Sequence, residues 1–263
     1  IYTTHEIPSM AASWLEVGEN RVLSTMLEVP LKSYLMSFYK SCTAVIALNE
    51  VSRKDMIDYG YRGDLHVVPN GRDFKKFSNL PVANFKDDEK RLIFVGTIGG
   101  RKNQEYLVRM MKYLPKNYKL TLVGRFFPPE YVKKLEAIAK GDERIDIVGA
   151  VDPEEIPGIL ADHHLVVSAS KVEVQSLSII EALASATPVV GLANETIDEL
   201  VYDSVGRRLE KGSSHRKFAR AVEEILTGPE EEYLTMARAA RKSVEHLHWD
   251  HIVQKIAKVY SLY

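Results

Sequence analysis

A chain of 263 residues has room for one large or two ordinary domains, and an apolar content of 45% suffices for a sizeable core. A net charge of -1 gives no electrostatic reason to bind nucleic acid, and a single cysteine, Cys42, excludes an internal disulfide or a cysteine-based zinc site. A lone cysteine makes a reducing cytoplasm the expected compartment; no stretch has the roughly 18 apolar residues that cross a bilayer, and no signal-peptide pattern is visible.

Residues 1–4 have strand propensity, which places His5 just past a strand end. From Met10 to Lys40 the spacing is helical in pieces. Leu31, Tyr34, Leu35, Phe38 and Tyr39 recur at three and four, and Pro30 suits the first turn of that helix. A short buried strand over 43–48, a helix over 50–58 stopped near Gly60, and a strand over 65–68 follow, the last running into the turn signal Pro69-Asn70-Gly71. Breaks and a charged run over 86–90 mark 77–90 as a linker. The domains expected are therefore 1–76 and 91–246, with a terminal helical segment at 247–263.

After the linker the pattern repeats. Strands at 91–95, 119–123, 145–148, 165–168 and 188–191 alternate with helices at 103–113, 130–140, 153–161 and 177–185. Strands alternating with helices of that length imply right-handed crossovers and a parallel, doubly wound α/β sheet. Past Gly191 the chain reads as helical. Phe218, Val222, Ile225 and Leu226 mark one amphipathic helix closed by Gly228-Pro229, a second runs over 230–246, and a last starts at Asp250.

The stretch 168–191 is the richest in chemistry. It leaves an apolar strand, passes through small polar residues and enters a helix. Glu173 falls in the loop and Glu181, eight residues on, inside the helix. The amides of Gln175, Ser176 and Leu177 have no partner within that helix, so they offer an anion cradle, and carboxylates beside them can accept bonds from sugar hydroxyls. Two glutamates at this spacing also fit solvated surface charge. Their place at the carboxyl end of a strand in a parallel sheet favours a ligand site.

A second candidate is 95–103, Val-Gly-Thr-Ile-Gly-Gly-Arg-Lys-Asn, where glycines permit close backbone approach and Arg101 and Lys102 add positive charge. It is neither a dinucleotide fingerprint nor a P-loop, and an ordinary tight turn would explain it too. Gly124, Gly149 and Gly191 end strands on the same sheet edge, where their amides could read a base or ribose or serve only a turn. His5 is the one histidine singled out, although a lone histidine fits a structural role as well. The others lack metal-ligand spacing.

With these residues in place the chain resembles the retaining group 1 glycosyltransferases, family four, of two-domain GT-B fold. The signature is Glu173 through Glu181 with Ala182, Ala184 and Pro188-Val189-Val190. Val67-Val68-Pro69-Asn70-Gly71-Arg72-Asp73 with Phe77, Thr4-His5-Glu6, and Trp249 with Tyr260 agree in order. The resemblance implies two Rossmann-like domains, the C-terminal one complete and the N-terminal one partial, with its first part apparently absent, and a terminal helix that crosses back to the first domain.

It also implies roles. Glu173 would contact the donor sugar, with the amides of Gln175, Ser176 and Leu177 near sugar and diphosphate. Glu181 would hold the ribose, Lys102 would neutralise the diphosphate without any metal ion, His5 would lie over the reacting sugar, and Val148 and Gly149 would border the base. The family's arginine after the loop glycine is Thr97 here, a charge Arg101 would supply instead, and its Phe-Gly is Gln175-Ser176. The activity implied is transfer of a hexose from a nucleoside-diphosphate sugar to a sugar or lipid-linked acceptor, with no other cofactor. Alternatives are a nucleotide-sugar-binding subunit without transferase activity and, against the missing fingerprint, an NAD-dependent dehydrogenase. The aromatic and basic residues between Lys32 and Lys40 read first as a packed helix and second as a peripheral membrane contact.

Overall fold

The structure is a computed structural model that describes residues 1–4 and 21–263, with side chains at 1–4 and from Pro30 onward apart from Ser78. His5 lies outside the described residues. Two compact units result. The first comprises Ile1–Gly71, Val172–Gln175 and Leu247–Tyr263, and the second Arg72–Lys171 and Ser176–His246.

In the first unit, β1 (Tyr2–Thr4), β2 (Ala44–Ala47) and β3 (Asp64–Val67) form a parallel three-stranded sheet in that order. Parallel neighbours need crossovers, supplied by α1 (Arg21–Ser41) and α2 (Glu50–Asp58). Pro30 is internal to α1 and does not open it. The helix begins nine residues earlier than Pro30 would suggest, at Arg21, because the apolar spacing carries through the one ladder bond that proline removes. Met36 and Tyr39 of α1 pack with Val45, Met56 and Tyr61, and the Tyr39 hydroxyl meets Thr4 Oγ1 at 2.9 Å. Helix α2 ends at Gly60, whose φ of +90° is the left-handed conformation glycine adopts without strain.

The final helix, Trp249–Tyr260, belongs to this unit. A Cβ on Gly71 would come within 2.9 Å of both Ile252 and Trp249, so the Pro69-Asn70-Gly71 turn lies directly against that helix. Beyond it, the Tyr263 hydroxyl donates to Asp64 Oδ2 at 2.8 Å, on β3.

The second unit holds six parallel strands: β4 (Lys90–Val95), β5 (Tyr118–Val123), β6 (Ile145–Gly149), β7 (Leu165–Ser168), β8 (Val189–Leu192) and β9 (Gly206–Leu209). Their spatial order is β6-β5-β4-β7-β8-β9. The chain thus winds outward from β4 to one edge, returns, and winds from β7 to the other, which is the doubly wound Rossmann order. In sequence order the helices are α3 (Lys75–Ser78), α4 (Gln104–Met110), α5 (Pro129–Ala139), α6 (Ile156–Asp162), α7 (Leu177–Ala184), α8 (Glu195–Leu200), α9 (His215–Leu226) and α10 (Glu230–Ser243). The core joins Leu92, Leu120, Leu122, Leu165, Val167 and Val190 of the sheet to Leu107, Leu135, Phe218 and Val222 of the helices.

One element, β9, departs from the expectation that the chain past Gly191 is helical, and one helix there, α8, is not among those expected. Strand β9 carries Arg207 and Arg208 in its four residues, so no apolar run announces it. As an edge strand it tolerates them, and Arg208 bonds Asp198 Oδ1 at 2.6 Å. The six-residue α8 is too short to show a period, and its Asn194 cap is its only signal. Residues 77–90 pack on the second unit: Phe85 lies 4.9 Å from the Tyr233 ring, and Arg241 donates to Leu80 O at 3.0 Å.

Candidate functional site

The strand order reverses between β4 and β7, and sheets of this winding bind ligands at the carboxyl ends of the strands flanking that point. The loop leaving β4 is pinned from several sides. Gly96 N donates to Val123 O and Ile98 N to Arg125 O, both at 2.9 Å, which continues the β4–β5 pairing past the strand ends. Gly124 must remain glycine there, since a Cβ would stand 1.7 Å from Gly96 O. The fully buried Gln104 completes the loop from inside, its Nε2 donating to Thr97 O at 2.9 Å and its Oε1 accepting from Gly99 N at 3.2 Å.

The loop then turns tightly: Gly99 O accepts from Lys102 N and Asn103 N, at 3.0 and 3.2 Å, and Asn103 takes a left-handed φ of 56°. Asparagine is one of the few non-glycine residues enriched there. Two bonds bridge the switch point, Asn103 Nδ2 to Ala169 O at 3.2 Å and Lys171 N to Arg101 O at 3.0 Å. Thr97, Arg101 and Lys102 are thereby held on a rigid loop tied directly to the segment that follows β7.

That segment starts and ends in the second unit, but its middle, Val172–Gln175, packs in the first. Glu173 is buried there, flanked by Val174, whose carbonyl accepts from Asn49 Nδ2 at 2.8 Å. Gln175 Oε1 accepts from Asn70 N at 2.6 Å. Back in the second unit, Ser176 caps α7 by position, and its amide already donates to Thr196 Oγ1 at 2.9 Å. Of the three amides expected to form an anion cradle, this one is therefore engaged within the protein. Leu177 opens the helix with its side chain partly exposed.

Glu181, within α7, is only 6% exposed and forms an ion pair with Arg72. Burial pushes its carboxyl pKa up, and Arg72 pulls it back down. Val148 is exposed near the end of β6, and Gly149 adopts a φ of +87° beside the Phe126 ring. The amide of Gly124 already donates to Gly149 O at 2.8 Å, and Gly191 lies inside β8, where a Cβ would collide with Ile197 of α8 at 2.5 Å. Neither glycine presents an open strand-end amide. The roles of Arg72 and Thr196 escaped the sequence reading because each acts through a partner distant in sequence, and that of Gln104 because a glutamine at a helix start does not announce which loop atoms it bonds. Among the described residues no three His, Cys, Asp or Glu side chains group to hold a metal ion.

The family model described as "Glycosyl transferases group 1" matches residues 75–243, more than half of the chain and all of the switch-point loops. The chain belongs to this family. Among its curated relatives, alpha-monoglucosyldiacylglycerol synthase of Streptococcus pneumoniae is 27% identical over 215 residues, covering 76% of this chain and 48% of the relative. D-inositol 3-phosphate glycosyltransferase of Mycolicibacterium smegmatis is 26% identical over 215 residues, covering 80% and 48%. The group 1 chain described here thus spans about half the length of both.

Solved structures agree on the GT-B fold. Sucrose-phosphate synthase of Thermosynechococcus elongatus superposes with a TM-score of 0.83 at 23% identity, over 99% of this chain and 66% of that one. Anabaena Alr3699/HepE, in complex with UDP and glucose, gives a TM-score of 0.80 at 21% identity, over 100% and 71%.

Proposed function

We propose that this group 1 chain acts as a retaining, metal-independent hexosyltransferase that uses UDP-glucose and a lipid-linked acceptor hydroxyl. The buried Glu181 carboxylate carries the reading. Desolvated in α7 and neutralised by a side chain that is itself partly exposed, it can exchange one bond from Arg72 for two from a ribose diol. Lys102 and Arg101, on the loop clasped to the segment after β7, supply positive charge for a diphosphate, with the Leu177 amide at the mouth of α7. Glu173 takes the sugar hydroxyls, His5 covers the reacting sugar, Gln175 and Ser176 line the sugar side, Thr97 lines the phosphate loop, and Val148 and Gly149 border the base.

The chemistry asked of these groups is modest. The acceptor oxygen bonds to C1 as the bond from C1 to the β-phosphate oxygen breaks, and the acceptor proton leaves with the diphosphate. Fixed cations and amides stabilise the charge that develops there, and losing one such group costs about 2.7–4 kcal/mol of transition-state stabilisation. UDP-glucose as donor is supported by the UDP-glucose complex solved for the Anabaena neighbour. A lipid acceptor and retention are supported by the name of the Streptococcus relative, whose product is an α-glucoside of diacylglycerol, since UDP-glucose is itself α-linked.

Turnover of UDP-glucose in diacylglycerol micelles tests this. The expected product is the α-glucosyl lipid, formed at the same rate with or without EDTA. Lys102→Ala should lower kcat about 10²- to 10³-fold with little change in KM, whereas Glu181→Ala should raise the KM for UDP-glucose. Unchanged constants in both variants would end the assignment, and UDP-glucose binding without UDP release to any acceptor would make the chain a binding subunit.

A further inference from the structure

Two asparagines treat the Glu173 segment in the same way. Asn49 caps α2, its Oδ1 accepting from Ser52 N at 2.8 Å, and its Nδ2 donates to Val174 O at 2.8 Å. Asn194 caps α8, its Oδ1 accepting from Ile197 N at 3.0 Å, and its Nδ2 donates to Ser170 O at 3.1 Å. Their backbones coincide, with φ and ψ of -155° and 173° for Asn49 and -158° and 175° for Asn194. Both side chains are buried. The two Asn49 bonds named here lie within the first unit and the two Asn194 bonds within the second.

A helix cap requires only an acceptor, which serine, threonine or aspartate provides equally well. Asparagine alone among strong caps also carries an NH₂ with two donors. At both positions that donor reaches a carbonyl of the segment after β7, three residues before Glu173 in one case and one residue after it in the other. Between Ser168 and Leu177 the segment has neither helix nor strand to hold its carbonyls. Val174 is further anchored by packing on Leu48, next to Asn49.

We infer that Asn49 and Asn194 are positioning residues for Glu173, each fastening one side of its segment to the rigid start of a helix. The inference rests on Glu173 being the contact to the donor sugar. It makes recognition of the sugar, but not of the nucleotide, dependent on two side chains that never touch the donor.

Aspartate substitutions separate cap from clamp. Asn49→Asp and Asn194→Asp keep the cap acceptor and add a charge that a helix N-terminus favours, while an oxygen replaces the donor that faced the carbonyl. Asn49→Ser and Asn194→Ser keep the cap acceptor and remove the donor without putting an oxygen or a charge in its place. UDP and UDP-glucose are titrated calorimetrically into the full chain, its four variants, Glu173→Ala and the double variant Asn49→Asp with Glu173→Ala. We expect melting points lowered by a few degrees in the asparagine variants, where a buried carbonyl loses its donor, and UDP affinity within about twofold throughout. UDP-glucose affinity should fall about tenfold in Glu173→Ala and three- to tenfold in the aspartate and serine variants, with the double variant no weaker than Glu173→Ala alone.

Wild-type UDP-glucose affinity in the Asn variants beside a weakened Glu173→Ala would overturn the clamp and leave the role of Glu173 standing. An unaffected Glu173→Ala would remove that role and the clamp with it. Additive losses in the double variant, or equal losses for UDP and UDP-glucose in the serine variants, would show that the asparagines act elsewhere.

Discussion

His163 and His164 are adjacent yet hold opposite tautomers. His164 Nδ1 accepts from Arg91 N at 3.0 Å, so its proton is on Nε2, which donates to Asn84 O at 3.0 Å. His163 Nδ1 lies 2.7 Å from Ile159 O and must be the protonated nitrogen, leaving Nε2 to accept from the Thr121 hydroxyl at 3.2 Å. Burial, the largest cause in both, lowers their pKa values below 6.5. A charged His164 ring would also break the bond from Arg91 N. The unfolded chain binds protons near the ordinary value and the folded chain does not, so these residues stabilise the fold above that pH and lose their contribution as pH drops through it. Urea midpoints should fall between about pH 7.5 and 5.5, and His164→Gln should flatten that slope while lowering stability at pH 7.5. A slope unchanged by the substitution would place the acid sensitivity elsewhere. Neither histidine takes part in the proposed chemistry, in line with their lack of ligand spacing in the sequence.

At the scale of elements, the rigidity of the loop after β4 depends on one side chain. Gln104→Met retains volume but strands Thr97 O and Gly99 N in a buried place, and each orphaned group costs about 1–3 kcal/mol. A lowered urea midpoint with an unchanged slope, together with weaker UDP binding, is expected, and a variant matching the wild type in both would contradict the role given to Gln104. The position of this loop was legible in the sequence because strand β4 ends in the apolar run Leu92-Ile93-Phe94-Val95 and glycines follow it. Its support was not, since a glutamine at a helix start looks like a solvated residue until its partners are known. The same contrast separates β7 and α7, whose apolar runs announce them, from α8 and β9, where a six-residue helix and a strand bearing two arginines carry almost no periodic signal. Pro30 misled for a related reason: a proline suits a first turn, but an apolar stripe on both sides can carry a helix through it.

Across the molecule, sequence order and structural grouping diverge at two points. Leu247–Tyr263 joins the first unit, against the turn at Gly71, and Val172–Gln175 leaves the second unit for four residues. The two glutamates of the signature therefore fall in different units, Glu173 in the first and Glu181 in the second, although only eight residues separate them. Spacing alone could suggest that both serve one ligand, and the strand order then put its reversal, where sheets of this winding bind ligands, between β4 and β7. Arg72 as the partner of Glu181 was beyond the reach of sequence, because it depends on where the chain enters the second unit after Gly71.

Amide hydrogen exchange with and without saturating UDP-glucose tests the central claim most directly, since it reports where on the chain the donor is held. Added protection is expected at residues 97–103 and 177–181, on either side of the switch point, with UDP alone protecting the same residues. Protection confined to residues outside these two segments, or none at all at saturation, would contradict a nucleotide-sugar site at the edge of this sheet.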